Sequence, residues 1–237
     1  MRFLLLSLAL LLATALAPAH AQKALPGLSE GVQYTYIEDG QPYQTLPPGM
    51  VEVAEVFAYT CPHCADFSPM LDAWGRQLPP HARLTLVPFV SGRDDAWART
   101  FYAAQAAKAL PVLHPRLFAA VHETGDLPRT ASLEQITTFA TRIPGVNGPA
   151  FQAALRDEPG QLARLRAAFE FERRSNVENT PTLIVGGRYM ILGNSFEGLL
   201  ANARRVVDAL APAKPAARVA PKPAPKPAAA KPAAARH

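Results

Sequence analysis

Cys61 and Cys64 are the only thiols in the 237-residue chain, and their setting constrains the fold more than any other feature. Residues 51 to 59, VEVAEVFAY, are rich in β-branched and aromatic types and read as a buried strand. That strand runs directly into Thr60-Cys61-Pro62-His63-Cys64, after which Phe67, Met70, Leu71, Trp74 and Leu78 recur at helical spacing. Thr60 is placed to cap this helix, Pro62 is tolerated in a first turn that has no partner for its N–H, and Pro79-Pro80 stops it. A disulfide that closes so short a loop restricts the unfolded chain very little, so the pair is better explained by chemistry than by stapling.

The rest of the chain builds around this unit. Leu84 to Val90 reads as a second strand, with Pro88 marking its end, and Val32 to Ile37 as an earlier one. From Asp94 to Asn176 the pattern is helical, with stretches near 94–110, 115–123, 132–142, 148–156 and 160–176 broken at Pro111, Pro128, Pro144-Gly145 and Pro159-Gly160. Thr182 to Val185, the turn Gly186-Gly187 and Arg188 to Leu192 give a hairpin, and Phe196 to Leu210 a closing helix. A small sheet is thus interrupted by a block of helices, and there is no internal repeat.

Both ends are separable. Arg2 precedes an apolar run from Phe3 to Ala17, followed by Pro18 and Ala19-His20-Ala21, the layout of a secretory signal peptide over residues 1–21 with Gln22 as the mature N-terminus. The run is shorter than the roughly 20 residues a spanning helix needs, which favours cleavage over anchoring. At the other end the last 27 residues hold 12 Ala, 7 Pro, 4 Lys and 2 Arg with no acid, so the +5 formal charge belongs to this tail and the remainder is close to neutral. That weakens any reading built on a basic nucleic-acid groove. The tail reads as a disordered, solvated spacer.

Two thiols three residues apart at a helix start share one face. The first also meets free backbone N–H groups and the positive end of the helix dipole, which favour the thiolate, and His63 adds a charge or a donor to it. Such help stabilises the reduced form and makes the disulfide a better oxidant. Cys61 is therefore the reactive sulfur and Cys64 its shielded partner. A zinc site needs about four ligands, and a second cysteine pair is missing. Covalent haem needs His directly after the second Cys, where Ala65 stands. Neither metal nor organic cofactor is expected.

The strand, Cys61-Pro62-His63-Cys64 at a helix start, the helical insertion and Thr180-Pro181 before a hairpin resemble the DsbA family of periplasmic thiol:disulfide oxidoreductases. The likeness extends over residues 31 to 210. It implies an α/β, thioredoxin-like fold with a helical domain inserted in the sheet, made of 22–92 and 176–210 around an insertion at 93–175, with 211–237 left as the tail. It further implies a monomeric periplasmic enzyme that donates its Cys61-Cys64 disulfide to reduced, newly exported proteins and is reoxidised by a DsbB-like membrane partner.

Within that resemblance Pro181 matches a proline held in cis against the cysteines, and Thr180 the residue whose backbone pairs with substrate. Many members have Val in place of Thr180, and Thr is shared with isomerase relatives, so an isomerase or reductase is the alternative, with a non-enzymatic envelope-binding module as a third reading. Glu55 matches a buried acid beneath the cysteines that relays a proton to Cys64; it alternates onto one strand face with Val53 and Phe57, which also argues for burial. His81, His114 and His122 read as surface residues, Trp74 and Trp97 as core, and Phe57 and Tyr59 as shaping an apolar peptide groove.

Overall fold

The computed structural model describes residues 24–212, so the leader and nearly all of the tail lie outside it. In chain order the elements are β1 (Tyr34–Tyr36), β2 (Val51–Phe57), α1 (Pro62–Gly75), β3 (Ala82–Pro88), α2 (Ala96–Ala106), α3 (Leu110–His122), α4 (Leu133–Arg142), α5 (Gly148–Arg156), α6 (Glu158–Arg174), β4 (Thr182–Val185), β5 (Tyr189–Ile191) and α7 (Phe196–Ala209). The five strands form one sheet in the order β1-β5-β4-β2-β3. Only β2 and β3 run parallel, with α1 as their crossover; the remaining pairs are antiparallel. The α/β architecture with five helices between β3 and β4 agrees with the sequence reading.

β2 lies second from the edge and is buried along its whole length, which explains a strand composition apolar on both faces. Its alternation sorts two cores. Val51 and Val53 join Leu183 and Val185 of β4 beneath Phe67 and Leu71 of α1 and Val206 and Val207 of α7. Ala54 and Val56 join Ile184 and the helical block, where Phe101, Leu113, Phe151 and Phe171 are fully buried. Two buried acids tie loops to this second core. Glu52 accepts from the backbone N–H of Tyr43 and Gln44, and Glu172 from that of Val90 at 3.0 Å.

The helix starts follow side-chain chemistry. Asp95, Ser132, Asn147, Asp157 and Ser195 each cap the helix behind them, and Ser132 with Gln135 closes a capping box. Three expectations differ from what is found. The N-cap of α1 is Cys61, not Thr60, and it has no side-chain cap bond. The same helix ends at Gly75, short of Leu78, with Arg76 as its C-cap; at Gly75 a Cβ would meet the Leu84 side chain of β3 at 2.8 Å, which favours glycine where the helix passes over that strand. Pro111, read as a breaker, sits in the first turn of α3, where its missing N–H has no partner.

Candidate active site

The junction of β2 and α1 places the two sulfurs. Cys61, half-buried, keeps extended φ/ψ of −85° and 119° as the N-cap, and Pro62 fills the first turn behind it. No acid occupies that turn, so nothing there opposes negative charge on a sulfur at the helix start. Cys64, one turn on, is fully buried, and both thiols are free. Cys61 Sγ donates to the carbonyl oxygen of Thr180 at 3.3 Å, across 119 residues of chain. The Thr180-Pro181 peptide is cis, in keeping with the resemblance. Pro62 and His63 are exposed at the rim. The six residues Glu55, Cys61, Pro62, His63, Cys64 and Pro181, with Thr180, thus converge on one end of the sheet.

Burial sets the proton chemistry. It pushes the Cys64 thiol up, outweighing hydrogen bonds to the Ala58 backbone and the Thr180 side chain that favour the charged form. Glu55 is 2% exposed, and burial, with the nearby Cys61 sulfur as a smaller cause, pushes its carboxyl up to about 8. Its Oε1 has no hydrogen-bond partner. At neutral pH the site therefore holds a mostly protonated acid beside a thiol that resists ionising.

Some residues fall elsewhere than the sequence suggested. Phe57 and Tyr59 are fully buried, so they support the site from beneath and line no peptide groove. His114 is no surface residue: its Nδ1 lies 2.9 Å from the Tyr59 hydroxyl, its Nε2 3.4 Å from Ser68 Oγ, and rings of Phe57 and Phe118 enclose it edge-on at 5.0 and 5.1 Å. Burial holds its imidazole down to about 4. His122 Nε2 donates to the Tyr59 carbonyl at 2.8 Å. His114, Phe118 and His122 are spaced i, i+4, i+8 and share one helix face, the signal that could have placed both histidines inward. Trp74 and Trp97 pack against the cores but stay partly exposed.

Between α1, α3 and β3 runs a groove of about 600 Å³ walled by Leu84 and Leu86, with Ser68, Asp72 and His114 along it and Glu55 reaching into it. Among the described residues no cluster of three or more His, Cys, Asp or Glu is arranged to hold a metal ion, and no helix is long and apolar enough to cross a membrane.

Comparison with known proteins bears on this geometry directly. The family profile described as Thioredoxin matches residues 47–202. The thiol:disulfide interchange protein DsbA of Bordetella parapertussis is 32% identical over 204 residues, covering 84% of this chain and 93% of that protein. DsbA of Burkholderia cepacia is 30% identical over 208 residues, covering 85% and 92%. Among solved structures, the oxidoreductase DsbA of Xylella fastidiosa superposes with a TM-score of 0.71 at 36% identity, over 76% of this chain and 96% of that one. A Neisseria meningitidis DsbA in its reduced form gives 0.68 at 26%, over 78% and 96%. With a dithiol at a helix start and relatives of this kind along nearly their whole length, the chain belongs to the DsbA family of thioredoxin-fold thiol:disulfide oxidoreductases.

Proposed function

We propose that Cys61 and Cys64 are the redox pair through which this oxidoreductase gives a disulfide to reduced proteins, and that Glu55, Thr180 and Pro181 serve that exchange. The observation that carries the reading is the contrast between the two sulfurs: Cys61 is reachable at the helix start and Cys64 is sealed beneath it. A substrate thiolate attacks Cys61 Sγ of the disulfide, the Cys61–Cys64 bond breaks, and its electron pair stays on Cys64 Sγ. Glu55 then gives its proton to that buried sulfur, which burial keeps as a thiol. A second substrate thiolate attacks the substrate sulfur of the mixed disulfide, Cys61 leaves as the thiolate, and the substrate departs oxidised by two electrons.

Thr180 presents its carbonyl next to Cys61 Sγ, where an extended substrate segment can pair with the backbone of the Thr180-Pro181 loop. We assign His63, exposed at the rim, to stabilising the reduced pair. We assign 22–92 and 176–210 to the thioredoxin-like part and 93–175 to the inserted helical part. The partners are unfolded exported proteins and a DsbB-like membrane protein that takes up the electrons, and the enzyme works as a periplasmic monomer. The test is direct. Oxidised protein is mixed with a reduced dithiol peptide and product disulfide is followed in time. Cys61→Ser and Cys64→Ser abolish the reaction if the reading is right; peptide oxidation that survives Cys61→Ser refutes it. Scrambled ribonuclease as substrate tells an oxidase, which leaves it scrambled, from an isomerase.

A further inference from the structure

Tyr59, His114 and Ser68 form a hydrogen-bonded row that takes no part in the exchange as written, yet Ser68 and His114 line the groove that Glu55 reaches. In the hydrogen bond between the Tyr59 hydroxyl and His114 Nδ1 either atom can donate, and the other imidazole nitrogen takes the complementary part towards Ser68 Oγ. The neutral ring thus joins a buried phenol to a serine hydroxyl that lines the groove.

Glu55 lines the same groove, and its buried Oε1 has no protein partner; a buried polar group left so is satisfied by water where space and further polar groups are at hand. The charged groups facing this space are Asp72 from α1, Arg76 just past its end and Glu123 just past α3; β3 contributes only Leu84 and Leu86. His114, held neutral by its apolar cage, does not compete with Glu55 for a proton.

We propose that Tyr59, His114 and Ser68 orient the groove water that returns a proton from solvent to Glu55, with His114 as the positioning residue of that path. The inference rests on the assignment of Glu55 as the acid for Cys64. Each time the Cys61–Cys64 bond breaks, Glu55 passes one proton to Cys64 Sγ and is left as a buried carboxylate. One proton then enters from bulk water along the groove and restores the neutral acid.

The test is repeated oxidation of a dithiol peptide with glutathione disulfide as the terminal oxidant, so that Glu55 must regain its proton in every cycle, followed across pH and in H₂O and D₂O. His114→Ala is expected to react about tenfold more slowly at pH 7 with an enlarged solvent isotope effect, within the range that proton-transfer groups contribute. Imidazole in the buffer restores the rate of His114→Ala in proportion to its concentration and leaves the wild type and Glu55→Gln unmoved. His114→Gln, which keeps a donor and an acceptor, stays within about threefold of the wild type. A wild-type rate in His114→Ala overturns the inference, as does a slowed rate that neither imidazole nor D₂O changes and that follows a lowered melting temperature. A slowed Glu55→Gln beside an unaffected His114→Ala refutes this path alone; a wild-type rate in Glu55→Gln refutes the Glu55 assignment itself.

Discussion

Replacing Glu55 by Gln should strengthen the fold at neutral pH while it weakens the enzyme. The carboxyl has a value near 8 in the folded protein against 4.5 for an unburied Glu, because β2 carries it into the core without a cation beside it. The folded state thus keeps a proton that the unfolded chain has released. For an acid shifted upward, that extra stability is complete below the unfolded value and is lost as pH rises towards the folded value. At pH 7 the 2.5-unit gap above 4.5 amounts to about 3 kcal/mol, since one unit is worth about 1.4 kcal/mol. Water in the adjoining groove makes this an upper figure. An amide of the same shape does not titrate and escapes the penalty.

Urea denaturation of reduced wild type and Glu55→Gln at pH 5, 6, 7 and 8 isolates the effect. Glu172, also pushed up to about 8 by burial, is present in both proteins and cancels in the difference. The variant's advantage is expected to grow by about 3 kcal/mol from pH 5 to pH 8. Two parallel stability–pH curves would refute the reasoning, because they would show that Glu55 is solvated or paired in the folded protein. In peptide oxidation the same variant should be slower by about tenfold or more, the loss of a positioned acid.

Three further outcomes follow from other parts of the structure. His114, held down to about 4 from 6.5, contributes stability that is complete above pH 6.5 and is lost as pH falls towards 4, so His114→Phe should resist acid unfolding by up to about 3 kcal/mol, read as a lower acid midpoint by circular dichroism. His63→Ala removes a group that favours the reduced pair and should make the couple more reducing by about 30 mV, a tenfold change in the equilibrium with glutathione; an unchanged equilibrium would leave the helix start as the sole cause. Gly187→Ala should cost more than about 2 kcal/mol in thermal or urea unfolding, because φ is +71° and a Cβ would sit 2.1 Å from the backbone of Gln41.

The site was legible where local pattern and chemistry coincide. A strand, a dithiol and a helix lie within 25 residues, so β2, Cys61, Cys64 and α1 could be placed from spacing alone. Glu55 was readable because strand alternation sets it among apolar neighbours. His114 was misjudged for the opposite reason. A histidine beside a proline in a helical stretch looks solvent-facing, and only the docking of α3 on α1 brings it to Tyr59 and Ser68. Phe57 and Tyr59 went wrong likewise, since adjacency in sequence to a reactive cysteine does not say which side of the backbone an aromatic ring takes. The approach of Thr180 to Cys61 came from resemblance, because no local rule connects residues 119 apart.

The strand order also fixes when the enzyme comes into being. β2 meets β3 across a separation of 31 residues, Val51 opposite Ala82, but meets β4 across one of 132, Val53 opposite Val185. Closing the longer loop costs about 1.3 kcal/mol more in chain entropy, and the strand that closes it is made in the last quarter of the chain. A growing polypeptide that already carries both cysteines has therefore no wall at Thr180, no finished core around β2 and no sealed Cys64. The Thr180 carbonyl beside Cys61 Sγ and the strand that completes the sheet around β2 therefore come from the last part of the chain to be made.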